Sequence, residues 1–166
     1  MLALDSITDP QNLGAILRVA AAFDARAVVV TERRSAELGG ATAKAAAGAL
    51  ERVPVVEVVN LARAFDELRE MGYTVVALEP DAGHAIDDAP LPAGGDLVLV
   101  LGAEGLGLRR LVRERCDLAV RLPISDAVES LNVSVAAGIA LYALRRPETR
   151  GPDTASDLSD GRASTL

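Results

Sequence analysis

Short apolar runs alternate with helix-like patterns along most of this chain. Residues 2–4, 27–30, 55–58, 74–78, 97–101 and 118–121 read as strands, and 97–101 is apolar throughout. Residues 14–23, 41–50, 61–71, 108–115 and 133–146 carry helical patterns. Strands alternating with helices predict an α/β fold built on a parallel sheet flanked by helices. Residues 81–95, rich in Asp, Gly and Pro, predict a long loop. From Pro147 onward the chain is polar and rich in Pro, Ser and Asp, which predicts a disordered tail over 147–166 behind one domain over 1–146. There is no internal repeat.

Composition narrows this picture. The 166 residues are half hydrophobic but only 2% aromatic, so Val, Leu, Ala and Ile must fill the core. That suits strands covered on both faces. No apolar run approaches the roughly 18–20 residues of a membrane span, and the sequence shows no basic-then-apolar signal-peptide pattern. Cys116 is the only cysteine, which excludes an internal disulfide and fits a reducing cytoplasm. One cysteine and one histidine, His84, offer no recognised metal-ligand spacing. The formal charge is −7, of which the tail contributes −2.

Three segments carry more polar chemistry than folding needs. Ser130-Leu131-Asn132-Val133-Ser134 stands directly before an apolar helix. Ser and Asn cap helix starts, but three polar side chains in five residues exceed one cap. Near the start, Asp5 to Arg18 includes Asp9-Pro10-Gln11-Asn12-Leu13-Gly14. Arg18 follows Gly14 by one turn and so shares its face; the missing side chain at Gly14 would let a substrate backbone approach. Arg18 is suited to phosphate, and its other reading is a solvated arginine on an amphipathic helix. Between these, Gly102-Ala103-Glu104-Gly105-Leu106-Gly107 follows the most apolar strand, where open α/β sheets place ligands. Glu104 reads as a site carboxylate or as a helix-start charge. These glycines match neither a P-loop nor a dinucleotide fingerprint. Ser6 and Ser134 lack the histidine of a hydrolase triad. Arg109, Arg110, Arg113 and Arg115 form either a phosphate-facing stripe or a solvated helix face.

In this order the three segments resemble the three motifs of the SpoU/TrmH family, the knotted RNA ribose 2′-O-methyltransferases of the SPOUT superfamily. The resemblance runs from about Leu4 to Arg146. The stretch from Ser35 through Ala41-Thr42-Ala43-Lys44 and Val53-Pro54-Val55 to Arg63 is most similar to the branch that methylates a guanosine ribose in large-subunit ribosomal RNA. The resemblance implies a C-terminal trefoil knot, S-adenosylmethionine as cofactor, RNA as substrate and a homodimer. Periodicity shows none of these and by itself would give an ordinary doubly wound sheet.

Residue by residue, the resemblance assigns Arg18, Asn12, Glu104, Ser130 and Asn132 to catalysis. It assigns Leu78, Glu79, Gly102, Ile124, Leu131, Asn132, Ser134 and Ala136 to the cofactor. Glu79-Pro80 departs from the small residues expected after that strand. A guanidinium with a pKa above about 12 is a poor base. Gripping a phosphate and stabilising a developing alkoxide is therefore the expected role of Arg18. Asn12 is expected to fix the loop around Arg18 or to cap its helix. Similar proteins of this branch carry an N-terminal RNA-binding domain, so this chain is expected to be a catalytic domain separated from one. Transfer RNA ribose is the second expected substrate, and a resistance-type rRNA methyltransferase the third reading. The rivals from other classes are a non-catalytic RNA-binding module that has kept the fold and an unrelated α/β enzyme.

Overall fold

A computed structural model describes residues 1–92 and 95–144. The elements in chain order are β1 (Leu2–Asp5), α1 (Pro10–Ala22), β2 (Val28–Thr31), α2 (Gly40–Ala46) and, after a 3-10 turn at Ala49–Glu51, β3 (Val55–Val58). Then come α3 (Leu61–Glu70), β4 (Tyr73–Leu78), β5 (His84–Ala85), β6 (Asp96–Gly102), α4 (Arg110–Arg113), β7 (Leu118–Arg121) and α5 (Val133–Leu144). The seven strands form one sheet in the order β3-β2-β1-β6-β4-β7-β5, and every pairing is parallel. β1 and β6 pair in the middle, with Asp5 opposite Gly102 at their carboxyl ends.

Alternation along the strands divides the core in two. Leu2, Leu4, Val28, Val30, Leu99 and Leu101 face the layer of α1, α2 and α5. Ala3, Val29, Val75, Ala77, Val98 and Val100 face Leu61, Phe65 and Leu68 of α3 and Val112 of α4. Helix α1 buries Leu13, Ile16, Leu17 and Ala20 at helical spacing, and its start is capped by Asp9, whose carboxylate accepts from the Gln11 amide at 3.0 Å. Asn60 caps α3 in the same way. On the outer side of the sheet, Asp66 takes Arg115 and Arg69, and Arg69 also takes Asp117 at 2.7 Å. Asp117 in turn accepts from the Val75 amide at 2.8 Å, so this network ties α3 to β4 and β7.

The expected elements are present, with four corrections. The helix expected over 14–23 begins at Pro10, where Asp9 caps it. The helix expected over 41–50 stops at Ala46. Ala47 and Gly48 both take left-handed backbone, with φ of 48° and 84°, before the 3-10 turn. The helix expected over 108–115 is only Arg110–Arg113, because the preceding segment is held in a loop. The loop expected over 81–95 contains the edge strand β5. Arg121 donates to the carbonyls of Ala82 and Gly83, and Ile86 buries its side chain while its amide bonds Arg121 O at 2.9 Å. The expectations for residues 145 and 146 and for the tail over 147–166 lie outside the described residues.

Gly14 does not do what its position in the sequence implied. It is buried where α1 crosses α2, and a Cβ there would lie 2.4 Å from Ala45 Cβ and 2.8 Å from the Thr42 carbonyl oxygen. It is a helix-packing glycine, with no opening for a substrate. Gly138 in α5 differs: a Cβ there would meet Val19 at 3.7 Å, an ordinary contact. Gly14→Ala is therefore expected to lower the unfolding free energy by about 1–3 kcal/mol through overpacking. Gly138→Ala should raise it by about 0.5–1 kcal/mol by removing a mid-helix glycine. Urea unfolding of both variants measures the opposite signs.

Candidate active site

The carboxyl ends of β6 and β4 and the segment after β7 enclose a cleft of about 660 Å³. That lies within the range of small-molecule sites. Its apolar lining comes from Leu78, Leu101, Leu122, Ile124, Leu131 and Val133. Its polar lining includes Glu79, Asp81, Glu104, Glu129, Ser130 and Arg113. Of the residues expected to hold a cofactor, Leu78, Glu79, Gly102, Ile124, Leu131 and Ala136 line this cleft, as do Glu104 and Ser130. Asn132 and Ser134 do not line it, and neither do Asn12 and Arg18.

One wall is the loop after β6, and its shape follows from its glycines. The Gly107 amide bonds the Ala103 carbonyl at 2.8 Å, closing a small hairpin. Gly105 and Gly107 take φ of 74° and 64°, which side chains rarely adopt. A Cβ on Gly102 would lie 2.3 Å from Gly107 C and 2.5 Å from Leu108 N. Gly102, assigned to the cofactor by resemblance, thus first admits the loop's own backbone. Glu104 sits on this hairpin, exposed toward the cleft.

Asp5 anchors the loop. Its carboxylate is fully buried and accepts from the Arg109 amide at 2.8 Å, from Arg109 Nε at 2.6 Å and from Ser6 Oγ at 3.3 Å. A buried carboxylate is costly unless paired and hydrogen-bonded, and here both needs are met mainly by the residue that ends the loop. The opposite wall has a second pair. Glu79, where small residues were expected, is almost buried and takes Arg113 Nε at 2.6 Å. Arg113 is a lining residue that sequence reasoning left as part of a stripe.

The polar residues before α5 divide into two roles. Asn132 Oδ1 accepts from the Ser134 amide at 2.9 Å, the Ser134 hydroxyl at 2.6 Å and the Val135 amide at 3.4 Å, so Asn132 caps α5. Its Nδ2 donates to Asn12 Oδ1 at 2.9 Å, joining the starts of α1 and α5. Asn12 is not the cap of α1; Asp9 is. Ser130 stays at the cleft. Arg18 is exposed on α1, with no hydrogen-bond or ion-pair partner among the described residues. Arg109 and Arg113 hold the buried carboxylates of Asp5 and Glu79, while Arg110 and Arg115 pair at the surface with Glu114 and Asp66.

Cys116 is half-buried, and its thiol donates to the Val112 carbonyl at 3.3 Å. Burial, with Glu79 and Asp117 adding negative charge, pushes this thiol up to about 12. It stays protonated at neutral pH and is a poor nucleophile. Maleimide labelling at pH 8 is expected to be slow in the native protein and fast in urea; rapid native labelling would contradict the burial. Gly102→Ala is expected to cost about 1–3 kcal/mol and to speed hydrogen exchange at the Gly107 amide, since the new Cβ displaces that strand of the hairpin.

Comparison with known proteins agrees with this geometry. The family model of the SpoU rRNA methylase family matches residues 1–142. A Burkholderia protein named 23S rRNA (guanosine-2′-O-)-methyltransferase RlmB is 53% identical over 142 residues, covering 86% of this chain and 57% of that protein. The protein of the same name from Pseudomonas aeruginosa is 47% identical over 149 residues, covering 90% and 59%. The chain thus spans somewhat over half the length of these curated relatives. Among solved structures, a TrmH-family protein from Porphyromonas gingivalis superposes with a TM-score of 0.79 at 34% identity, covering 87% of this chain and 58% of that one. An AdoMet-bound rRNA methyltransferase from Sinorhizobium meliloti gives 0.78 at 26% identity, covering 86% and 54%. With a family match over nearly all its described residues and a superposable parallel sheet, this chain belongs to the SpoU rRNA methylase family.

Proposed function

We propose that this chain is the catalytic domain of an S-adenosylmethionine-dependent RNA 2′-O-ribose methyltransferase, acting on a guanosine of 23S rRNA in the cytoplasm. The observation that carries this reading is the cleft, where the second and third motif segments meet between β6 and α5. Support for the substrate comes from the names of the relatives at 53% and 47% identity.

The cleft fits the cofactor. Its apolar floor of Leu78, Ile124 and Leu131 suits an adenine ring, and its volume suits a nucleoside with an amino-acid arm. Glu79, Asp81, Glu104 and Glu129 outnumber Arg113 around it, which favours a cationic ligand. When bound, S-adenosylmethionine supplies a methyl group already activated on a positively charged sulfur. The chain's own residues are left to align a ribose hydroxyl and manage its charge. Alignment of this kind is worth several kcal/mol of the barrier. Ser130 and Glu104 stand at the cleft to orient the ribose. Asn132 and Asn12 act one step back, holding the start of α5 against α1. Ser134 supports Asn132 and does not touch the cleft.

Arg18 stabilises the developing alkoxide or grips the adjacent phosphate. It does not line the cleft of its own chain, so it acts on a ribose held by a second copy. A homodimer also accounts for α5. Val135, Ile139 and Tyr142 recur at helical spacing with 50%, 44% and 67% of their surface exposed, and Tyr142 stacks edge-on against Phe23. This apolar stripe beside α1 is the surface that a second copy covers. We read the C-terminal path, which leaves β7 beyond β4 and returns α5 to α1, as the trefoil knot expected for the family.

Calorimetric titration with S-adenosylmethionine is expected to show saturable binding near one per protomer. A folded protein that binds none at millimolar cofactor would instead be a module that has kept the fold without the activity. With a 23S rRNA fragment as acceptor, Arg18→Ala should lower methyl transfer by about 100-fold or more while cofactor binding is unchanged. Full turnover by the variant would remove Arg18 from the reaction.

A further inference from the structure

The charge of this chain is awkward for an RNA enzyme. At −7 its long-range field repels a polyanion, so any grip on RNA must be local. The ion pairs decide where. Among the described residues, every arginine from Arg63 onward is engaged. Arg63 meets Glu67, Arg69 and Arg115 meet Asp66, Arg109 meets Asp5, Arg110 meets Glu114 and Arg113 meets Glu79. Arg121 donates to two carbonyls of the β4–β5 connection. Arg26 meets Asp96. The cations with no such partner among the described residues are Arg18, Arg33, Arg34, Lys44 and Arg52, all exposed.

These five come from residues 18–52, the segment that builds the β2 and β3 side of the molecule, with Arg33 and Arg34 at its carboxyl edge and Arg52 toward its amino edge. α2 and the 3-10 turn before Arg52 both pack on α1. The crossing point at Gly14 puts the Lys44 turn of α2 beside the part of α1 that leads to Arg18. Arg33 and Arg34 follow β2, at the same carboxyl edge of the sheet as the cleft. Their bend is held in place: the Thr31 hydroxyl bonds the Arg33 carbonyl, and the Ala36 amide bonds Ile7 O at 2.9 Å. Arg34 sits at φ 68°, in the left-handed region, within this bend. Residues 10–54 hold six cations and four acids, a net of +2 in a chain of −7.

We propose that this α1–α2 lobe is the surface that grips the RNA backbone, with Arg33, Arg34, Lys44 and Arg52 binding phosphates spread along the strand whose nucleotide Arg18 acts on. This rests on the reading of the chain as an RNA methyltransferase domain. A cation already held by a carboxylate must give up that partner to meet a phosphate. A free one only releases its counterions, and that release drives the binding. Arg109 and Arg113, which hold the buried carboxylates of Asp5 and Glu79, are therefore structural, and the unpaired Arg18, Arg33, Arg34, Lys44 and Arg52 are the contact set. In a dimer the lobe of one protomer carries Arg18 toward its partner's cleft, so the strand entering that cleft is held in trans.

The test is the salt dependence of binding to a fluorescein-labelled single-stranded RNA of mixed sequence. Each phosphate contact to a single strand contributes about 0.7 to the slope of log K against log salt. Arg33→Gln with Arg34→Gln is expected to lower the slope by about 1.4, and adding Lys44→Gln and Arg52→Gln by about 2.8 in total. The control Arg63→Gln with Arg110→Gln changes net charge by the same amount as the first pair and should leave the slope as in the parent. Lobe variants that bind like the parent, or a control that weakens binding equally, overturn the proposal. So does a parent that binds S-adenosylmethionine but no RNA at low salt, an outcome that leaves the methyltransferase reading standing. A parent that binds no cofactor fails that reading first.

Discussion

The buried carboxylate of Asp5 is the constraint on which the site depends. It sits at the end of the central strand pair, fully removed from solvent. A charge there is tolerable only if its oxygens are satisfied. The Arg109 amide and guanidinium satisfy them, so the chain can leave β6 only by a path that brings Arg109 back to β1. That path is the Gly102–Leu108 hairpin, and the hairpin is one wall of the cleft. The position of Glu104 is thus a consequence of an electrostatic requirement one strand away.

Glycine makes this arrangement sterically possible at two places. Gly102 admits the backbone of the returning loop, and Gly14 admits α2 against α1. Both positions are legible as special in the sequence, which reads Gly14 as space for a substrate, and by resemblance Gly102 as a cofactor contact. The structure spends them on the protein's own backbone. The lesson concerns what a missing side chain reports: it marks a close approach without naming the approaching group.

Most of the fold was legible because buried parallel strands write unbroken apolar runs. Residues 97–101 fall inside the buried β6, and even the more exposed β3 and β7, with Glu57 and Arg121, match residues 55–58 and 118–121. What failed to show was short or nonlocal. β5 is two residues long and exists because Arg121 and Ile86 hold it to β7. The break at Ala47 lies inside an alanine-rich run that reads as continuous helix, and only a left-handed residue before Gly48 reveals it. In the site, the motif residues were visible, but their division of labour was not. Asn132 and Ser134 look alike in sequence to Ser130, yet the first two are spent on the α5 cap and on Asn12. The ion pairs of Arg113 with Glu79 and Arg109 with Asp5 join residues 34 and 104 positions apart, beyond any local pattern.

The hydrogen bond between Asn132 and Asn12 joins positions 120 apart. β1 likewise lies between β2, which follows it closely, and β6, where Leu99 meets Leu2 from 97 positions away. During synthesis the first third of the chain can form its helices and one strand pairing, but the other edge of β1 stays open until β6 emerges. The start of α1 finds its partner later still. Contacts of such separation are slow to close. The end of the molecule that holds the cleft is therefore the last to be finished, because Val133 and Ala136 of α5 complete its lining.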